Sequence, residues 1–292
     1  MNKLENKKYW IWLSLVKGIG VRKKLYLLEK YQTPEEIYNK SKKELMKIKG
    51  FGESSVNNIL SIEIRNKMEK HINLLLKNNI DIITIYDDEY PELLRKIYDK
   101  PICLYIKGNK EILRKKTIGI VGCREATPYG RKVAEYFSFN LAKHGFCIVS
   151  GLAKGIDSFS HIGAIAAKGK TVAVIGNGLD IIYPKENEIL SNEIISRGGA
   201  IITEYPLGTK PERMNFPARN RIISGMSEGI LVVEAKSKSG TLITVDFALE
   251  QGRDVYVVPG NINSINSVGT NELIKQGAKM VTNYREIMSC KY

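Results

Sequence analysis

The run "TIGIVG" at residues 117–122 opens the rhythm that decides the fold. It is followed by "FCIVSG" (146–151), "TVAVIG" (171–176), "AIITE" (200–204), "GILVVEA" (229–235) and "DVYVVPG" (254–260). Each is a short β-branched run, and a helix-length segment separates it from the next. Strands of this kind, alternating with helices, predict a doubly wound, mostly parallel α/β sheet. Just upstream, "IDIITIYDDEYPELLRKIYDKPICLYIKG" (80–108) reads as a strand, a short helix after Pro91 and a second strand that leads into the sheet.

Residues 9 to about 78 have a different period. "YWIWLSLVKGIGVRKKLYLLEKY" and "KELMKIKGFGESSVNNILSIEI" carry apolar residues at three-to-four spacing on either side of a Gly-x-Gly, which predicts helices. The two segments form a loose internal repeat, with the glycine pair just before a second helix each time. One reading is a tandem helix-hairpin-helix whose backbone N–H groups approach a phosphate; the other is a pair of tight turns in a small bundle. The chain therefore divides into an all-helical domain over 1–78 and a sheet domain over 79–292.

The 292 residues carry 45 Lys and Arg against 31 Asp and Glu, a net charge of +14, with 43% apolar residues. That balance permits a sizeable core and favours a polyanionic partner. The basic residues run from Lys3 to Lys291, so any basic surface is assembled by folding. Cys103, Cys123, Cys147 and Cys290 form no CxxC pair, and His71, His144 and His161 fit no HExxH or CxxH spacing, so neither a disulfide framework nor a metal site is expected. The start has no signal-peptide pattern and no segment approaches 18 apolar residues, which makes the cytoplasm the expected compartment and a membrane partner unexpected.

In a doubly wound sheet, ligands bind beyond the C-terminal ends of the strands. The loops there are rich in glycine, including Gly122, Gly151 and Gly240, and contain Arg124, Lys154, Lys185, Arg213, Arg219, Arg221, Lys236 and Lys238. Glycines and cations gathered at one sheet edge predict an anion platform.

The segment "FPARNRIISG" (216–225) sharpens that expectation. On a helical wheel Arg219 falls inside the apolar arc of Ala218, Ile222, Ile223 and Met226, while Asn220 and Arg221 fall outside it. A first-turn arginine on the sheet-facing arc can reach over the strand ends toward Arg124 and Lys185. Two cations at the positive end of a helix repel one another unless an anion lies between them. That anion is either a ligand or an internal carboxylate, Glu204 or Glu234. Phe216, read as a loop residue between Pro211 and Pro217, is either a core plug or a surface on which a base stacks.

Enzymatic readings find less support. "IGNGLD" supplies two glycines of GxGxxG, with Asp180 far too close for a dinucleotide fingerprint, and no GxxxxGK[ST] is present. Asp157, Glu204, Glu234 and Asp246 show no acid–base pairing in sequence, and Asp157 and Glu204 serve equally as helix-start or loop-ordering carboxylates. Ser239 and Thr241 lack a GxSxG context, which leaves them as helix caps or phosphate donors. No catalytic residue and no cofactor are expected.

These loops, in order "VGCREATPYG", "SGLAKGIDSFSH", "GNGLDIIYPKEN", "EYPLGTKPERMNFPARNRIISGMS", "VVEAKSKSGTLITVDFALEQGRDVYVVPG" and "GTNELIKQGA", resemble the DNA-processing protein A family, also called DprA or Smf. The resemblance spans most of 80–285, and the helical segment resembles the SAM-like domain that many members carry before an extended Rossmann sheet. It implies a non-enzymatic protein that binds and protects incoming single-stranded DNA, loads RecA recombinase onto it in natural transformation and works as a homodimer. It places the strand at Arg124, Lys185, Phe216, Arg219, Asn220 and Arg221, and with Gly122, Gly151, Lys154, Arg213, Ser239, Gly240 and Thr241 of the strand-end loops these form the expected DNA site. Cys123 stands where a Ser, Thr or Ala is expected before Arg124, which removes a hydroxyl donor. With Tyr292 following soon after a helix expected near 285–288, the sequence reads as the form of the family without a C-terminal winged-helix domain. Two other readings stand beside this one. A phosphoribohydrolase of the lysine-decarboxylase-like type needs a glutamate where Thr244 stands, and a RecA scaffold would have only incidental DNA affinity.

Overall fold

The structure is a computed structural model that describes residues 4–289, so Cys290 and the terminal residues of both expected domains lie outside it. The N-terminal segment folds into α1 (Lys8–Leu15), α2 (Val21–Tyr31), α3 (Pro34–Tyr38), α4 (Lys42–Met46), α5 (Glu53–Ile59) and α6 (Ile62–Lys77). Local signals set several of the starts. Thr33 caps α3 with Pro34 in its first turn, and Ser41 and Glu44 form a reciprocal capping box on α4. The two glycine pairs act alike. Gly18 and Gly50 take φ of 71° and 85°, which only glycine adopts freely, while Gly20 and Gly52 cap α2 and α5 in extended conformation.

The sheet domain runs β1 (Asp81–Thr84), α7 (Glu92–Arg95), β2 (Cys103–Gly108), β3 (Thr117–Val121), α8 (Pro128–Lys143), β4 (Cys147–Ser150), α9 (Ile156–Ala166) and β5 (Lys170–Val174). It continues with α10 (Glu188–Ser196), β6 (Ala200–Thr203), α11 (Asn215–Met226), β7 (Gly229–Val232), α12 (Gly240–Glu250), β8 (Asp254–Val257), α13 (Val268–Lys275), β9 (Lys279–Met280) and α14 (Arg285–Met288). Among the described residues these strands make one nine-stranded sheet in the order β1-β2-β6-β5-β4-β3-β7-β8-β9. The expected doubly wound core is present, since β3 to β9 pair in parallel. β1 and β2 add an antiparallel edge on β6, because α7 packs beside α11 and does not carry the chain across the sheet. β9 has only two residues, both exposed, too short a run to be read from sequence.

Alternate side chains of the central strands go to opposite faces. Ile118, Ile120, Ile148, Leu231 and Tyr256 pack with Phe137 and Leu141 of α8. Val121, Val149, Val232 and Val257 pack with Ile222 and Ile223 of α11, in a core that continues through β1 and β2 into the N-terminal helices, including Trp12, Leu27 and Leu75. Polar contacts cross the same boundary. The Ser14 and Tyr105 hydroxyls lie 2.5 Å apart, Lys7 Nζ donates to the Ile82 carbonyl at 2.7 Å, and the His71 ring meets Tyr105 edge-on. The helical unit is thus fixed to the sheet edge remote from the β3–β7 reversal, where the strand order places the ligand crevice.

Candidate functional site

At the C-terminal ends of β3, β4 and β7 the loops enclose a cleft of about 690 Å³, the size of a small-ligand site. Gly122 and Arg124 enter from the loop after β3, and Arg213, Phe216, Arg219 and Asn220 from α11 and the loop before it. Ser239, Gly240 and Thr241 enter from the start of α12. A neighbouring recess of about 70 Å³ is lined by Gly151 and Lys154 of the loop after β4, by Tyr183 and Pro184, and again by Arg124, Phe216 and Arg219. Eleven of the thirteen residues expected from sequence therefore meet in one continuous concavity, nine in the cleft and two in the recess.

The other two lie elsewhere. Lys185 is exposed just past Pro184, at the start of the 3-10 turn Lys185–Asn187, and lines neither space. Arg221 corrects the wheel reading. It is 5% exposed, on a flank of α11 turned away from the cleft, where Nη2 donates to Glu204 at 2.7 Å and Nε meets Asp99 at 3.1 Å. Burial pulls the Arg221 pKa down, but Glu204 and Asp99 hold it above the ordinary arginine value. Glu204 is thus the internal anion for Arg221, a role that the sequence left open between Glu204 and Glu234.

Arg219 has no such partner. It is 4% exposed on the sheet-facing side of α11, and its Nη1 donates to the carbonyl of Val174 at the end of β5. Its Nε–H has no hydrogen-bond partner among the described residues. Burial lowers its pKa to about 10, with Asp157 raising it and Arg124 lowering it further. The Asp157 carboxyl answers in the opposite sense: burial raises its pKa, while Arg219 and the backbone of Ala153, donating at 3.3 Å, hold it down. The carboxylate that faces Arg219 is therefore Asp157, not Glu204 or Glu234. Gly151 makes room for this arrangement, because a Cβ there would overlap the Arg219 guanidinium.

Arg124 is exposed and stands over the Phe216 ring, 5.5 Å from its centroid. The Phe216 and Tyr183 rings are 5.7 Å apart and tilted by 36°. Phe216 and Pro217 belong to the first turn of α11 and not to a preceding loop; proline is tolerated there because first-turn N–H groups have no intrahelical acceptor. Phe216 is half-buried, in the wall shared by cleft and recess. Ser239 Oγ accepts from Thr241 N at 3.2 Å as the cap of α12, and Asn220 Nδ2 donates to the Gly240 carbonyl at 3.3 Å, tying α12 to α11. Glu234 accepts from the backbone and hydroxyl of Thr127, which anchors the loop that bears Arg124. Its main-chain carbonyl takes Cys123 N at 2.9 Å.

Sequence reading passed over Tyr183 and the ion pairs at the rim. Lys236 pairs with Glu125 at 2.7 Å and Lys154 with Glu186 at 2.5 Å. The tyrosine of the Tyr-Pro in "DIIYPKEN", just before the strand-end Lys185, was the available signal for Tyr183, whereas the ion pairs join distant loops and leave none. Among the described residues no group of three or more His, Cys, Asp or Glu is placed to hold a metal ion.

A sequence model described as DNA recombination-mediator protein A matches residues 81–291. The chain belongs to the DNA recombination-mediator protein A family. A second model, described as a SAM-like helix-hairpin-helix tandem, matches residues 13–66, the segment of the repeated glycine turns. The DNA processing protein DprA of Bacillus subtilis (strain 168) is 45% identical over 72% of this chain and 71% of its own length. Among solved structures, DprA from Streptococcus pneumoniae superposes with a TM-score of 0.85 at 36% identity, covering 97% of both chains. A structure addressing the single-stranded DNA binding mode of DNA processing protein A from Helicobacter pylori gives a TM-score of 0.65 at 28% identity, covering 72% of this chain and 94% of that one. Family membership thus agrees with the resemblance drawn from the six loop motifs.

Proposed function

We propose that this protein binds single-stranded DNA in the cleft at the ends of β3, β4 and β7, protects incoming strands and delivers them to RecA recombinase during natural transformation. The observation that carries the reading is Arg219, a buried guanidinium without a bonded carboxylate, facing a concavity that also receives Arg124, Lys154 and Arg213. Phosphates complete the charge pairing that the protein leaves unfinished, loop N–H groups order the backbone, and Phe216 with Tyr183 offers faces for sequence-independent base stacking. The single-stranded DNA mode addressed for the H. pylori relative supports the same assignment.

A binding role without catalysis is supported by the acids of the cleft. Glu125 is spent on Lys236, Asp157 lies buried against Arg219, and Thr244 occupies the wall where a hydrolase of this sheet type needs a glutamate. One cleft spans few nucleotides, so useful affinity comes from pairing clefts in a homodimer and laying dimers along a strand. Among the described residues no helix is long and apolar enough to cross a membrane. The decisive experiment for the delivery step is RecA filament formation on single strands already coated by another binding protein. Acceleration by this protein is expected, and no acceleration at concentrations that saturate the DNA would refute delivery while leaving DNA binding standing.

A further inference from the structure

We propose that the recess behind Phe216 and Tyr183 is a subsite for a terminal phosphomonoester, so that the protein prefers a phosphorylated strand end or a mononucleotide to the interior of a strand. This rests on the reading of the adjoining cleft as a DNA site.

Size is the first argument. At about 70 Å³ the recess admits an oxyanion of a few heavy atoms and excludes a base, and it is more enclosed than the cleft of about 690 Å³ that it joins. Three cations converge on it from three separate elements: Arg124 after β3, Lys154 after β4 and Arg219 in α11.

Charge is the second argument. The Arg219 side chain is more than nine-tenths buried, forms part of the recess wall, and has an Nε–H without a partner. A buried cation so incompletely satisfied favours the ligand with the most charge and the most acceptor oxygens. A bridging phosphodiester brings one negative charge, two free oxygens and two covalent exits. A terminal monoester brings up to two charges, three free oxygens and a single exit, which suits an enclosed recess. Because Arg124, Phe216 and Arg219 line both spaces, a phosphate in the recess leaves its sugar and base beside the aromatic pair and the larger cleft.

The test compares short oligothymidylates of one length, unphosphorylated, 5′-phosphorylated and 3′-phosphorylated, by fluorescence anisotropy competition against the intact chain. Thymidine, thymidine 5′-monophosphate and thymidine 3′-monophosphate serve as further competitors. Terminal phosphorylation at one of the two ends is expected to tighten binding about tenfold. The matching monophosphate should compete where thymidine does not. Arg219→Lys loses the Nε donor, so it should weaken binding of every oligonucleotide but weaken the end-phosphorylated one more, bringing the ratio of their affinities toward one. Equal affinity of wild-type protein for all three oligonucleotides overturns this inference and leaves the cleft assignment intact; failure to bind any of them overturns the cleft assignment itself. The wild-type comparison decides the matter even where Arg219→Lys does not fold.

Discussion

Two arginines separated by one residue in α11 have opposite fates. Arg221 finds carboxylates at 2.7 and 3.1 Å and is a structural cation; Arg219 finds a carbonyl, a neighbouring Asp157 and an opening. Arg221→Ala should therefore leave Glu204 and Asp99 without their partner and cost about 3 kcal/mol or more, read as a lowered thermal midpoint. Arg124→Ala should do the reverse. Arg124 is exposed and its guanidinium lies over the Phe216 ring, so stability should shift by less than about 0.5 kcal/mol while DNA affinity collapses. The rim pairs set a subtler control. Glu186 pairs with Lys154, so a phosphate must displace a carboxylate to use that lysine. Glu186→Gln should raise single-strand affinity about two- to fivefold at low salt, the modest size typical of exposed ion pairs; unchanged affinity would show that Lys154 stands apart from the bound strand.

At the level of elements, the site depends on close approach between loops. Gly151 follows β4 directly and lies against the Arg219 guanidinium, and Gly155, with φ of 77°, caps α9 against the carbonyls of Cys123 and Arg124. Gly151→Ala should force the Arg219 guanidinium aside, with an overpacking cost of about 1–3 kcal/mol in a thermal melt and a parallel loss of DNA binding. Binding that survives with stability lost would place Arg219 outside the contact. Much of this architecture was legible in sequence, because apolar β-branched runs announce the parallel strands and the loops after them must carry the ligand. Arg219 was legible too, since its place in the apolar arc of α11 contradicts its charge. Arg221 was not, because Asp99 and Glu204 come from other segments and only folding brings them to α11. The start of α11 was misplaced for a local reason: two prolines around Phe216 read as loop, although Pro217 sits in the one turn of a helix that accepts it.

The whole molecule couples this site to a core shared by helices and sheet, and its response to acid follows from two buried histidines. Burial lowers the His71 pKa to about 4 and the His161 pKa to about 3, from an ordinary value of 6.5. His161 Nδ1 lies 2.7 Å from the Thr171 hydroxyl, which itself donates to the Ile148 carbonyl. Both rings are neutral in the folded chain and take up a proton on unfolding below 6.5. Their contribution is therefore complete above that pH and is lost as pH falls toward the folded values, on the order of 1 kcal/mol per pH unit for each ring. The raised pKa of Asp157 opposes this over its own window, because the folded form there holds a proton that the unfolded chain releases. The thermal midpoint should fall between neutral pH and pH 5, and His161→Gln should flatten that fall.

The central claim is that a cation-lined cleft at the sheet's ligand edge holds the phosphates of single-stranded DNA. Binding of oligothymidylate by the wild-type chain and by Arg124→Ala, followed by fluorescence anisotropy across a salt series, tests it most directly. The account predicts that wild-type affinity falls steeply with salt as condensed counterions cease to favour release, and that Arg124→Ala binds far more weakly, with a shallower slope and an unchanged melting profile. Salt-independent binding by the wild type, or equal affinity and slope in the two proteins, would contradict it.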